Sequence, residues 1–346
     1  MRWEALNDNC TFAYLPALEP LFGVYSLLSG EQAHQLCTAL YGEGQIAAWR
    51  RRYRFLFETL EAVKALSPFS LFDFLLDTLA ADFCAADFRD YLLSLPEAAR
   101  VFRLAEWGWF DGVTPADIQR ALSDDAALDA LYARVEDKCP SFLGFSCFVR
   151  QSARCLEAYF ALAAELDTPA LHEALQAQEK NIDAFRARVL DHLAAGGLEC
   201  SQTLMGKTFR NRGPYEQFFF LPSLLLPCSS LRFFYDNGTP HNRQILICSI
   251  REPEKGPPRT TEALKALSDE TRYRILLLLA AHGSVNGQQI ARSLQLAPST
   301  VSHHMNELRD AGLITEEAVK TAKFYGLAKN TLQRLLDDIQ RDLKLP

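Results

Sequence analysis

Nothing in this chain of 346 residues reads as a membrane span, since no apolar run approaches the ~20 consecutive residues that a bilayer core demands. The opening Met1-Arg2-Trp3-Glu4 lacks the basic-then-apolar order of a secretory leader. Cysteine occurs nine times but never as Cys-x-x-Cys, and an odd count offers no disulfide framework, so the expectation is reduced thiols in a cytoplasmic protein. There is no Gly-rich phosphate loop, no nucleophile elbow and no His-Glu-x-x-His. Those absences remove the commonest signatures of nucleotide, acyl-transfer and zinc-hydrolase chemistry. The chain is read as a non-enzyme with no cofactor and no metal ligand. It also lacks internal repeats and low-complexity tracts.

What remains is ordinary globular material: 49% hydrophobic and 23% charged residues, enough length for two or three domains. The charge is unevenly spread. From Arg259 onward there are 12 Lys and Arg against 10 Asp and Glu, a balance of +2, while the preceding part holds 24 against 33, a balance of −9. The acidic total therefore belongs to the N-terminal part and says little against an anionic partner for the C-terminal part.

The C-terminal part carries the clearest signal. Ala297-Pro298-Ser299-Thr300-Val301-Ser302-His303-His304-Met305-Asn306-Glu307-Leu308-Arg309-Asp310-Ala311-Gly312 predicts a helix, with Pro298 at its first position and Gly312 as its left-handed stop. Val301, Met305 and Leu308 fall at i, i+4, i+7 and face inward. The opposite face presents Ser299, Thr300, Ser302, His303 and Asn306, short or planar hydrogen-bonding groups instead of the usual Glu/Lys mixture. Such a face suits a DNA major groove. Gln288 to Leu294 predicts the helix before it, joined by the tight turn Gln295-Leu296-Ala297. Earlier still, Ser268 caps an apolar helix that runs to Gly283. After the reading helix come two strands, Leu313 to Glu317 and Lys323 to Leu327, with a basic tip between them, and a last amphipathic helix from Asn330 to Leu343.

These spaced elements resemble the ArsR/SmtB family of winged helix-turn-helix regulators: Asp269-Glu270-Thr271-Arg272, Ile290-Ala291, Ser299 to Ile314, and Tyr325-Gly326-Leu327 all agree in order. The resemblance covers about Thr260 to Leu343. It implies a homodimer built on the first and last helices of the module, a near-palindromic promoter site, and release on a signal. The implied contacts with double-stranded DNA are Ser299, Thr300, Ser302, His303 and Asn306 to bases and phosphates, Gln288, Arg292 and Arg309 to phosphate, and Lys320 and Lys323 at the wing. Two departures stand out. The family's metal sensors carry paired cysteines on the helix before the reader, where this chain has Asn286 to Arg292 with none. Others bind metal through acidic and histidine ligands on the last helix, where Asp337 and Asp338 have no histidine beside them.

Residues 1 to about 195 read as nearly all helical, with long helices expected over Gln45–Leu66, Phe69–Leu95, Phe142–Ala164 and Thr168–Ala195, and a start at Thr114-Pro115-Ala116-Asp117. From Leu198 to Ile250 aromatic and β-branched runs predict a small antiparallel sheet, with Asp236-Asn237-Gly238 as a hairpin turn. Pro16-Ala17-Leu18-Glu19-Pro20-Leu21, Trp49-Arg50-Arg51 and Phe220-Leu221-Pro222-Ser223 resemble, more loosely, long ArsR-type regulators with a helical N-terminal domain.

The fold class expected is mainly α with a small antiparallel β region: a helical sensor or oligomerisation domain at 1–197, a β-sheet region at 198–251, a linker at 252–259 and a winged helix-turn-helix at 260–346. The function expected is a sequence-specific transcriptional repressor of bacterial type, with a small-molecule effector left open. A ligand-binding protein or metabolic enzyme with an appended winged helix, and a protein–protein adaptor, are the rival readings. Other features have bland counterparts. Cys139, Cys147 and Cys155 read as buried structural thiols before thiol sensors, and Arg50-Arg51-Arg52-Tyr53-Arg54 as a solvated helix face before a second DNA contact. Trp107, Trp109 and Phe110 read as core before a ligand cavity.

Overall fold

The structure is a computed structural model. It describes the chain except at 29–30, 64–69, 106–112, 137–138, 140, 197–200, 202–203, 205–214, 235–241, 252–258, 320–321 and 345–346. Trp107, Trp109, Phe110, the Asp236-Asn237-Gly238 turn, most of Leu198–Phe209, most of the expected linker and Lys320 lie outside the described residues. The chain forms two compact units, Met1–Arg188 with Gly213–Arg251, and Val189–Arg212 with Glu252–Pro346.

The first unit joins short apolar runs from its two ends into one sheet. Its strands are β1 (Arg2–Ala5), β2 (Cys10–Tyr14), β3 (Gln217–Ser223), β4 (Ser230–Phe234) and β5 (Arg243–Ser249), in the order β1-β2-β3-β5-β4. The expectation of a mainly helical chain with a small β component holds, but the sheet is mixed and not antiparallel throughout. β3 runs parallel to both β2 and β5, and only the outer pairs β1–β2 and β4–β5 are antiparallel. The reason lies in burial. Phe218 to Ser223 and Gln244 to Cys248 are buried without alternation, the pattern of central parallel strands covered on both faces. β1 alternates, as an edge strand does. The two N-terminal strands depart from the all-helical expectation for this end of the chain. The signal for them is Asn7-Asp8-Asn9, where the Asn7 side chain accepts from the backbone N–H groups of Asn9 and Cys10 and turns the chain between the strands.

Helices fill the rest of this unit: α1 (Glu19–Leu28), α2 (Glu31–Tyr41), α3 (Glu43–Arg52), α4 (Arg54–Val63), α5 (Ser70–Asp73), α6 (Leu75–Thr78), α7 (Ala85–Ser94), α8 (Glu97–Leu104), α9 (Pro115–Ala121), α10 (Asp125–Tyr132), α11 (Phe142–Arg150), α12 (Ser152–Leu166), α13 (Pro169–Gln176) and α14 (Glu179–Gly196), the last running on into the second unit. The start at Thr114 is as expected, with a full capping box between Thr114 and Asp117. The long expected helices are instead interrupted, α3 from α4 at Tyr53 and α11 from α12 at Gln151. At the first break Trp49, Arg52 and Tyr53 all converge on the Glu165 carboxylate, at 2.6–2.7 Å. That long-range clasp leaves no local signal.

The same clasp decides the basic cluster. Arg52 is tied to Glu165, Arg54 to Glu58, and Arg50 donates to the Leu27 carbonyl while lying over the Phe57 ring. All four arginines of the cluster are exposed, as in the solvated helix face expected, with three of them held by partners in their own unit. Cys139 and Cys155 are buried and Cys147 is half-buried. The Cys139 thiol donates to the Ala62 carbonyl. Beside it α4 and α11 approach so closely that a Cβ on Gly144 would stand 2.1 Å from the Ala62 Cβ.

α1 is anchored by a buried acid. Glu19 is 1% exposed, and its carboxylate accepts from the Leu224 N–H (2.9 Å), the Leu225 N–H (2.8 Å) and the Ser223 hydroxyl (3.0 Å). The Ser223 hydroxyl in turn accepts from the Leu226 N–H, so one carboxylate organises the turn that leaves β3.

The second unit contains α15 (Arg259–Leu267), α16 (Glu270–His282), β6 (Val285–Asn286), α17 (Gly287–Leu294), α18 (Pro298–Asp310), β7 (Ile314–Val319), β8 (Ala322–Leu327) and α19 (Lys329–Leu343). Its core is Ile275, Leu279, Ile290, Val301, Met305, Leu308 and Leu313 with their neighbours. The sheet order is β6-β8-β7, and β7 and β8 form a hairpin. Among the described residues no helix is long and apolar enough to cross a membrane.

Candidate nucleic-acid interface

The helices that lead into the reading helix are started by polar caps. Asp269, not Ser268, caps α16, its carboxylate accepting from the Arg272 N–H at 2.8 Å, while the Ser268 hydroxyl donates to the Lys265 carbonyl. The bond from Arg272 holds the Asp269 acid below its usual range. Asn286 and Gln289 form a reciprocal capping box on α17. Gly283, at φ +75°, ends α16.

The turn between α17 and α18 is made by Gln295 in the left-handed region, at φ +54°, with the Leu296 N–H returning to the Ala291 carbonyl. A side chain there costs about 1 kcal/mol, which glycine avoids at some entropic expense of its own. Gln295→Gly is therefore expected to leave stability unchanged or raise it by up to about 1 kcal/mol, read from the unfolding midpoint, where a large loss would contradict the turn described.

α18 has the geometry that its sequence pattern implies. Pro298 occupies its first turn, Val301, Met305 and Leu308 are at most 2% exposed, and Gly312 follows its end at φ +70°. Ser299, Thr300, Ser302, His303 and Asn306 are all exposed. The Ser302 hydroxyl donates back to the Pro298 carbonyl at 3.0 Å, leaving its oxygen to accept. Gln288 and Arg292, near the two ends of α17, are also exposed.

The two histidines divide. His303 is exposed and His304 is half-buried, with its Nδ1 3.9 Å from the Asp269 carboxylate at the start of α16. That Nδ1 is shielded from solvent and makes no hydrogen bond among the described residues. Among the described residues no three His, Cys, Asp or Glu side chains cluster in a way that could hold a metal ion.

Of the two wing lysines, Lys323 lies among the described residues and Lys320 does not. Lys323 is engaged by Glu316 at 2.8 Å, which keeps the ammonium above its usual range. Arg309 pairs with Asp310 at 3.1 Å and lies 3.7 Å from the other Glu316 oxygen. Nothing in the local sequence singles out Glu316. It sits opposite Tyr325 in the hairpin register, and only the folded hairpin brings it to the two cations.

Residues 269–316 match the profile of "Bacterial regulatory protein, arsR family". The chain is 33% identical over 78 residues to an uncharacterised HTH-type transcriptional regulator of Methanocaldococcus jannaschii, a stretch that takes in 22% of this chain and 88% of that protein. The chain belongs to the arsR family. This arsR-family regulator is also similar to the transcriptional repressor SdpR of Bacillus subtilis, 35% over 69 residues, 20% of this chain and 76% of the repressor. The transcriptional activator HlyU of Vibrio cholerae is 29% identical over 107 residues, 31% of this chain and 92% of the activator. As an arsR-family member the chain is a transcriptional regulator, with DNA as the partner that its helix-turn-helix implies.

Proposed function

We propose that this regulator is a repressor that acts in the cytoplasm, binds a near-palindromic promoter site as a homodimer, and is controlled through its N-terminal unit. The observation that carries the reading is the division of α18: an apolar stripe buried in the core, and an opposite face of Ser299, Thr300, Ser302, His303 and Asn306 open to solvent. Those groups can donate to and accept from base edges and phosphates in a major groove. On this reading Gln288 and Arg292 set α17 on phosphate, and Arg309, Lys320 and Lys323 serve the DNA backbone. A dimer is supported by leucines left uncovered on the first and last helices of the module, Leu264 on α15 and Leu336 and Leu343 on α19. Pairing two modules would put two α18 helices one helical turn apart.

Control by the N-terminal unit needs a ligand or contact that favours one dimer geometry over another. A recess of about 390 Å³ beside Tyr41, Trp49, Glu165 and Thr168 is large enough for a small molecule.

The test is fluorescence anisotropy of the full chain on the DNA upstream of its own coding region, with random competitor, across a salt series. Competitor-resistant binding that weakens with salt supports the reading. Binding no tighter than to random duplex overturns the promoter assignment and favours a protein-binding role for the winged helix.

A further inference from the structure

Glu316 stands where a phosphate-binding wing would gain from a neutral or basic residue. Its carboxylate reaches Lys323 Nζ with one oxygen at 2.8 Å and Arg309 with the other at 3.7 Å. The carboxylate is 24% exposed, against 42% and 59% for the cations it faces. Arg309 belongs to the last turn of α18 and Lys323 to β8, so one acid faces a cation from the reader and a cation from the wing. The neighbouring acid Asp310 also draws on Arg309.

We propose that Glu316 restrains the module's attraction to any duplex, setting its overall affinity and salt dependence, an inference that rests on the DNA-binding reading. A nearby phosphate meets one of two situations. Either Arg309 and Lys323 stay on Glu316 and offer little charge, or they turn to the phosphate and leave an unpaired carboxylate beside it. Both reduce the sequence-independent, counterion-releasing part of binding. The exposed face of α18 is untouched, so a cognate site keeps its advantage over random DNA while the affinity for both is lowered alike. The module's balance of only +2 makes each such cation count.

The test compares wild type, Glu316→Gln, and the double variant Glu316→Gln with Lys323→Gln, all as full-length protein, on cognate and random duplexes over about 50–250 mM salt. Glu316→Gln is expected to tighten random-duplex binding about 5- to 20-fold near 0.1 M salt and to steepen the logarithmic salt slope by about 1–2 per protomer, since each phosphate contact contributes about 0.9. Cognate binding should tighten by a similar factor, leaving the cognate-to-random ratio near its wild-type value. The double variant should lose most of the added slope. Asp82→Asn removes an exposed carboxylate of the other unit and controls for net charge. An unchanged slope in a folded Glu316→Gln protein, or an equal gain from Asp82→Asn, overturns the proposal and leaves the regulator reading standing. Absence of salt-dependent duplex binding by wild type overturns both.

Discussion

Glu19→Ala is expected to cost the N-terminal unit at least about 3 kcal/mol, because it strands two backbone N–H groups and a hydroxyl in the interior at about 1–3 kcal/mol each. All four tryptophans precede residue 110, so their fluorescence during urea unfolding reports on this unit. A midpoint within error of wild type would show that the turn after β3 does not depend on the carboxylate. The pH dependence has a definite sign. Burial pushes the Glu19 acid from the ordinary 4.5 up to about 7, against the pull of its three donors and of Arg251. Between those values the folded unit holds a proton that the unfolded chain has released. Stability from this group is therefore complete below pH 4.5 and is lost as pH rises through 7, a change on the order of 3 kcal/mol. Glu19→Gln should flatten that part of the profile while costing less than alanine. Its amide oxygen still accepts, but its NH2 faces donors that have nothing to receive from it.

The second large effect concerns binding. Ser302→Arg combined with His303→Glu replaces two exposed groups on the reading face with a bulky cation and an anion. Removing two base interactions at about 1–3 kcal/mol each predicts a fall of about 30- to 10⁴-fold on a cognate duplex. Random-duplex binding should change far less, and the melting temperature hardly at all, since neither side chain is in the core. Anisotropy on both duplexes separates the cases. Unchanged cognate binding would mean that α18 does not read DNA.

The C-terminal module is legible because its information is local. Pro298, Gly312, the stripe Val301-Met305-Leu308 and the polar face between them all lie within or beside one helix, and caps and periodicity are properties of neighbouring residues. Even the outward and inward histidines follow from a 100° step. What sequence does not reveal depends on distant partners. The parallel pairing of β2 with β3 joins residues more than 200 positions apart. The break at Tyr53 answers to Glu165, and the buried Glu19 answers to Ser223, Leu224 and Leu225. Glu316 is one more acid on a strand until the hairpin brings Lys323 across to it. Sequence spacing shows which face a residue occupies, and only the fold shows what that face meets.

The pairing of β2 with β3 also bears on how the protein is made. Strands β1 and β2 are made long before their partner β3, which begins at Gln217 and is flanked by β5, which ends at Ser249. For most of synthesis the apolar Phe12 and Tyr14 have only their own hairpin and no sheet to join. Pairings this distant in sequence are slow to form, and an unpaired apolar strand is open to wrong partners meanwhile. The helices between can gather early, but the sheet closes only after Ser249 has emerged. A long interval in which half of one sheet waits for the other follows from where its two halves are encoded.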